Sequence, residues 1–338
     1  MTAALAADGP LVDAARKEGR VVIYTNVGNE QSDGLIAAFK RKYPEIKVDY
    51  NDLGSNGTYN RIVAEAAAKQ VVGDVVWGSA VDLQIRLALD GQLQPTVLPA
   101  TTALPGWANY RNTLYATSIE PLGIIYNKRL LAQEDVPHSR AELLALLKSG
   151  KVDHKVATSD PTKGSAYFYH VTDDPLTGSY WELAQAFGKA YGKTYTSATA
   201  LKEGVVSGEN VLAFKVVGSY ALDWIKTTPN LGLSFEKDAA IGFSRLIGRM
   251  KDAPHPNAGS LFIDFVVSKE GQGLLASKGF PSIRDDVATG LNIKSLNELV
   301  GGKLLPIHLN DTDIASLIDA RQRMAFSQKW NRTAAPRQ

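Results

Sequence analysis

The chain reads as an α/β protein built in two lobes, and three observations carry that reading. Its 338 residues exceed one ordinary domain and suit two, each large enough to bury a core. Short apolar runs alternate with amphipathic stretches through the first hundred residues, the rhythm of a mostly parallel sheet with helices on its faces. Each of those runs ends in a small polar loop that opens the next helix, and in such sheets ligands lie outside the carboxyl ends of the strands.

The elements follow in order. Leu11–Ala15 reads as a short helix ending at Gly19, and Arg20–Thr25 as a buried strand by its continuous apolar run. After Asn26–Asn29, the spacing of Leu35, Ile36, Phe39 and Tyr43 predicts a helix that Pro44 stops. Lys47–Tyr50 is the second strand, closed by Gly54–Thr58 and a helix to about Gln70. Asp74–Trp77 is the third, followed by Gly78, Ser79 and a helix to Asp90. The three loops converge on one edge, which makes Asn26, Ser55, Asn56 and Ser79 candidate ligand contacts, although Gly, Ser and Asn also dominate ordinary turns. Trp77 can stack on a sugar or aromatic face, or belong to the core.

Further along, Ala116–Ile119 and Leu122–Tyr126 read as extended segments around Glu120 and Pro121, and Ser139 as the N-cap of a helix. Val156–Asp160 is a short strand, and Pro161–Tyr167 turns from it into a helix. That turn offers backbone N–H groups at a helix start, the hydroxyls of Thr162 and Ser165, the flexible Gly164 and the charge of Lys163, a set suited to an anion. It lacks the spacing of a nucleotide-binding P-loop, and it serves equally as a capped helix start without a ligand. Leu201–Ser207 is a helix and Val211–Val217 a strand closed by Gly218–Asp223. Leu231–Phe235 and Ile241–Ile247 are extended. In Asp252–Gln272, Pro254 and Pro256 end a strand and Asn257 can cap a helix. Its apolar face is Ala258, Leu261, Phe262, Phe265 and Val266, and Gly271 falls where a helix stops. From Leu291 onward come helices and connectors, Ile314, Leu317, Ile318 and Met324 forming an amphipathic set before an Arg-rich tail.

Composition excludes several functions. The chain has 37 basic and 35 acidic residues, a formal charge of +2, which argues against a nucleic-acid footprint. No apolar run reaches membrane-spanning length. The absence of cysteine removes disulfides, thiolate metal ligands, cysteine nucleophiles and a lipid-anchored cysteine together.

The string APHPNAxxLFIDFxxSxEGQ at 253–272 closely resembles the late helix of periplasmic solute-binding proteins of ABC importers. The branch is the one holding ferric-ion-binding and sugar-phosphate- or phosphonate-binding members. Glu120–Lys128 resembles the first crossover of that family, and Pro161–Ala166 its P-[ST]-x-G-x-[AG] turn, which in relatives holds phosphate or another anion. The resemblance runs from Val21 to about Asp286. It implies the type II periplasmic-binding-protein fold: two α/β lobes with mostly parallel sheets, joined by a two-segment crossover hinge near 118–122 and 236–240. Lobe 1 would comprise 10–117 with 240–280, and lobe 2 118–239 with 281–338.

The implied function is capture of a small anionic solute, such as a phosphorylated sugar or phosphonate, for a membrane permease, by an exported monomer without a cofactor. Tyr220, after the strand that faces the cleft, would contact the solute, and Glu120 and Asp223 would accept hydrogen bonds from its hydroxyls or an amine. Ala4-Leu5-Ala6, small-x-small, would be the stub of a removed export signal.

Iron is the alternative ligand. Ferric-binding relatives use a His after the first strand, a Glu in the next loops and adjacent tyrosines after the strand matching Val211–Val217, all oxygen- or nitrogen-donor chemistry suited to a hard cation. Here the first loop is Thr25-Asn26-Val27-Gly28, the second lacks Glu, and the tyrosine pair is reduced to Ser219-Tyr220-Ala221. An enzyme on the same fold would need clustered acid, base or nucleophile. The histidines at 138, 154, 170, 255 and 308 are scattered, His170 near Asp173 and Asp174 being the nearest to a cluster. The sensing half of a transcriptional regulator ranks last, since no basic DNA-binding segment precedes Val21.

Overall fold

The structure is a computed structural model and describes residues 9–309 and 314–334. Met1–Asp8, with the expected export-signal stub, lie outside the described residues.

The first part of the chain alternates as its apolar periodicity requires: α1 (Pro10–Glu18), β1 (Arg20–Thr25), α2 (Asn29–Lys42), β2 (Lys47–Asp52), α3 (Gly54–Ala68), β3 (Val75–Gly78) and α4 (Val81–Leu89). Short β4 (Leu93–Gln94), β5 (Asn109–Tyr110) and β6 (Leu114–Ala116) follow, then the long β7 (Glu120–Asn127), buried at every position. α5 (Arg140–Lys148), capped by Ser139 as expected, leads to β8 (Val156–Ser159), α6 (Ala166–Val171), α7 (Asp173–Thr177), α8 (Tyr180–Lys189) and β9 (Lys193–Tyr195). Next come α9 (Ala198–Val206), β10 (Leu212–Val217), α10 (Gly218–Thr227), β11 (Leu231–Ser234), β12 (Ala240–Phe243) and β13 (Leu246–Met250). The chain closes with α11 (Pro256–Val267), α12 (Lys269–Ser277), α13 (Ile293–Leu299), β14 (Leu304–Pro306), α14 (Ile314–Leu317) and α15 (Ala320–Thr333).

Two sheets result. The first runs β2-β1-β3-β13-β6-β5, with β4 beside β13; the second runs β14-β12-β7-β10-β8-β9, with β11 beside β7. β1 is parallel to β2 and β3, so their carboxyl ends share one edge. The chain leaves the first sheet after Ala116 and enters the second at Glu120, and it returns between Phe243 and Leu246. That return lies a strand later than the expected 236–240, because Ala240–Phe243 pairs with both β7 and β14 in the second sheet. Only Ser244 and Arg245 make the crossing back.

The helix of the APHPN string departs from the sequence reading in two details. Its first turn is capped by Glu18 of α1, whose carboxylate accepts from the backbone N–H of Asn257 and Ala258 and from Asn257 Nδ2 at 2.7–3.1 Å. Asn257 therefore does not cap with its own side chain. Gly271 does not stop a helix either: α11 ends at Val267, Ser268 caps α12, and the Ser268 hydroxyl accepts from Gly271 N–H. Gly271 is needed because a Cβ there would run into the Phe265 carbonyl across the break.

Candidate functional site

A cleft of about 270 Å³ lies between the sheets, and its walls are built by the strand ends. On the first-sheet side, Asn26 ties three loops together. Its Nδ2 donates to Ser55 Oγ at 2.6 Å and Ser79 Oγ at 3.0 Å, and its Oδ1 accepts from Ser79 N–H at 2.9 Å. Gly78 permits this approach, since a Cβ would strike Asn26 Oδ1. Ser55 and Ser79 line the cleft, while the Asn26 amide is engaged in holding them. Asn56 is exposed on α3 away from it.

On the second-sheet side the wall is Ser159, Asp160 and Lys163–Ala166, joined by Thr196–Ala198 at the start of α9. Asp160 Oδ1 accepts from Thr162 N–H at 2.8 Å and Thr162 Oγ at 2.7 Å, so the Thr162 hydroxyl closes its own turn instead of facing solute. Lys163, Gly164 and Ser165 do line the cleft; Gly164 sits at φ 52°, and Ser165 makes no capping bond with its side chain. Tyr169 and Phe243 pack ring to ring at 5.5 Å beneath, and burial pushes the Tyr169 phenol up to about 12.

The floor is a buried ion pair on the crossover. Arg245 Nε donates to Glu120 Oε1 at 2.8 Å, and Nη2 donates to the Tyr220 hydroxyl at 2.8 Å. The hydroxyls of Ser118, at 2.9 Å, and Ser219 also donate to Glu120. Phe280 lies 4.5 Å from the guanidinium centre, on its aromatic face. Burial opposes the Arg245 charge, but Glu120 and Tyr220 more than offset it and hold the guanidinium protonated. Arg245 and Tyr220 line the cleft; Glu120, fully buried, lies behind them and pairs with Arg245.

A second buried charge cluster reaches the wall through Lys215, which lines the cleft. Lys215 pairs with Asp173, which also takes Arg140 at 3.0 Å, and Arg140 in turn holds Glu236 at 2.8 Å. Lys215 occupies a bulge in β10 with φ 59°, left-handed backbone that a non-glycine residue adopts at a cost. Next to this cluster, His170 bonds through Nε2 to Ser159 Oγ at 3.1 Å and through Nδ1 to the Tyr180 hydroxyl at 2.9 Å. Burial first and the Lys215 ammonium second push its pKa down to about 3.

Two further candidates do not line the cleft. Trp77 is core: fully buried, its Nε1 donates to Thr117 Oγ1 at 2.9 Å, and its ring meets Tyr50 and Phe262 edge-on. Asp223 is exposed on α10, 3.3 Å from Lys226 one turn on, and does not line the cleft. The residues that the sequence reading missed are Arg245 and Lys215. Lys215 is a lone cation inside the apolar strand β10, and Arg245 one within the run Ile241–Ile247 that the sequence reads as extended, a pattern that signals a buried, partnered charge.

With this geometry in hand, comparison with known proteins is informative. The family model described as bacterial extracellular solute-binding protein matches residues 34–299. The substrate-binding protein of an ABC transporter from Agrobacterium tumefaciens superposes with a TM-score of 0.82 at 31% identity, over 93% of this chain and 94% of that one. Iron-bound HitA from Pseudomonas aeruginosa gives 0.75 at 20% identity over 92% and 99% of the two chains. AfuA from Actinobacillus pleuropneumoniae, with exogenous fructose-6-phosphate bound, gives 0.70 at 20% over 94% and 98%. An uncharacterized Haemophilus influenzae protein is 24% identical over 97% of this chain and 94% of its own length. Solute-binding proteins of ABC transporters work outside the cytoplasm with membrane permease and ATPase components. The chain belongs to the bacterial extracellular solute-binding proteins, the substrate-binding components of ABC transporters, with their two-lobed type II periplasmic-binding fold.

Proposed function

We propose that this chain captures a small organic anion, a phosphorylated sugar or a phosphonate, between its two lobes. The observation that carries the reading is the buried Arg245 guanidinium on the cleft floor, with Lys163 at the rim. An anion entering there meets a preset cation in a low-dielectric site, where charge-assisted hydrogen bonds are strongest. Ser55, Ser79, Ser165 and the first turn of α9 surround that position with hydroxyls and N–H groups suited to sugar hydroxyls or phosphate oxygens. The aromatic pair Tyr169 and Phe243, which also lines the cleft, offers an apolar face for a carbon skeleton. The bound fructose-6-phosphate of AfuA is the same chemical class.

A ferric ion fits less well, although HitA binds one. Tyr220, the tyrosine that would ligate it, already accepts a hydrogen bond from Arg245, so a metal there would face a guanidinium at close range. We assign the lobes by sheet, with the hinge at 117–119 and 244–245, where few residues would absorb a rotation.

A thermal-shift panel on ligand-stripped protein tests this, using hexose phosphates, aminoalkylphosphonates, inorganic phosphate, small carboxylates and ferric citrate. A ligand at a hundredfold over its Kd stabilises the folded state by about 2.7 kcal/mol, which is readily seen. A shift with phosphorylated compounds supports the reading; a shift with ferric citrate alone overturns it.

A further inference from the structure

Away from the crossover, the C-terminal segment ties the lobes together a second time. α15 is seated in the second lobe, where Phe326 and Trp330 are buried and Phe326 packs on Tyr180 and Tyr167 at 5.7 and 5.5 Å. Gly188 of α8 makes room for it, since a Cβ there would meet the Ala334 backbone at 2.8 Å. From this seat Arg323 reaches α4 of the first lobe and donates through Nη1 to Asp82 Oδ2 at 2.7 Å. Its guanidinium lies 4.6 Å over the Tyr167 ring, and the Tyr167 hydroxyl donates to the Leu317 carbonyl at the end of α14. Asp82 is almost fully buried, and its Oδ1 has no hydrogen-bond partner among the described residues. Arg323 is one-third exposed.

A carboxylate buried in this way is costly unless its cation stays beside it. That cation belongs to the other lobe, so separating the lobes would break the pair and let water reach both charges. Both ends also lie within a helical turn of the cleft: Ser79 precedes Asp82 by three residues, and Ala166 adjoins Tyr167.

We propose that Asp82, Arg323 and Tyr167 form a latch between the lobes, which biases the chain toward the closed cleft and releases when it opens. The latch does not depend on which solute the cleft takes. It acts through the equilibrium between open and closed forms, so it sets affinity without touching ligand.

The absence of native cysteine allows a direct test. Spin labels on Asn60→Cys in α3 and Glu203→Cys in α9 report the distance between lobes by pulsed electron resonance in ligand-free protein. Asp82→Asn, Arg323→Gln and their combination are measured on that background, with circular dichroism as the check on folding. The expected result is a longer, broader distance distribution in each single variant and no further change in the double. Fructose 6-phosphate, used as probe, would bind roughly fivefold to tenfold more weakly, the low end of an ordinary conformational coupling. Unchanged distances in all three variants, or additive effects of the two substitutions, overturn the latch. If fructose 6-phosphate binds neither parent nor variants, the capture reading is what suffers, and the label distances still decide the latch.

Discussion

The two walls of the cleft are made of different materials. The first-sheet wall is neutral: one amide, Asn26, and two hydroxyls, Ser55 and Ser79, bonded to one another across three adjacent loops. The second-sheet wall and the floor are charged, with Arg245 on Glu120 and Lys215 on Asp173. A neutral wall can be assembled from strand-end loops, since hydroxyls and amides tolerate water and incomplete pairing. Buried charges require partners held in place, and those partners come from distant parts of the chain: Arg245 and Glu120 are 125 residues apart. On the proposed reading, the neutral wall shapes the site and the charged one selects what enters.

The sharpest way to break this comparison is Arg245→Met. Removing the floor cation should weaken binding of a phosphorylated solute about a hundredfold or more, near 3 kcal/mol by calorimetry. Leaving Glu120 buried without its cation should also cost about 3–5 kcal/mol of stability in denaturant titration. Adding Glu120→Gln should restore much of the stability and none of the binding, which separates the two roles. Next in size is Ser165→Asp, which sets a like charge beside the ligand while leaving the fold intact; affinity should fall roughly tenfold to a hundredfold. Unchanged affinity would remove that turn from the site.

The charged side should also make the protein acid-sensitive. His170 is held neutral in the fold with a pKa of about 3, below its unfolded value of 6.5. The unfolded chain therefore binds the extra proton between those values, and the stability contributed above pH 6.5 is lost as pH falls toward 3. Melting temperatures at pH 7 and pH 5 should differ less in His170→Gln than in the parent. Asp173 adds to the same trend. Burial raises its pKa, but Lys215 and Arg140 outweigh that and hold the carboxyl well below its usual range.

On the neutral side, Asn26→Ala removes three hydrogen bonds and should cost about 1–3 kcal/mol of stability, with only a few-fold loss of affinity. A loss as large as that of Arg245→Met would mean the neutral wall selects as well as shapes. The smallest effects belong to residues outside the cleft. Trp77→Phe should lower stability by about 1 kcal/mol through the lost bond to Thr117, and neither it nor Asp223→Ala should change affinity in calorimetry.

Legibility follows the same division. Asn26, Ser55 and Ser79 could be read from sequence because parallel strands of an α/β unit must deliver their carboxyl ends to one edge, whatever else the chain does. Lys163, Gly164 and Ser165 could be read for the same reason on the second sheet. Thr162 was read as a ligand contact; its hydroxyl donates to Asp160, a partner set by where Asp160 points. Glu120 was read as a ligand contact and pairs with Arg245, a cation that passed unnoticed within the apolar run Ile241–Ile247. The cap of α11 shows the same limit at the level of secondary structure: Asn257 has the right chemistry, yet Glu18, 239 residues away, takes the position.

What the sequence by itself determined is therefore local and periodic: the α/β class, the order of the early strands and helices, the polar loops at one edge, and the family through its late-helix string. Those depend on interactions between near neighbours along the chain. Which sheet holds Ala240–Phe243, which carboxylate neutralises Arg245, and which lobe Arg323 reaches were decided only by tertiary structure. The physical reason is that a buried charge is placed by whatever counter-charge the completed fold brings within hydrogen-bond range. Spacing along the chain carries no record of that choice.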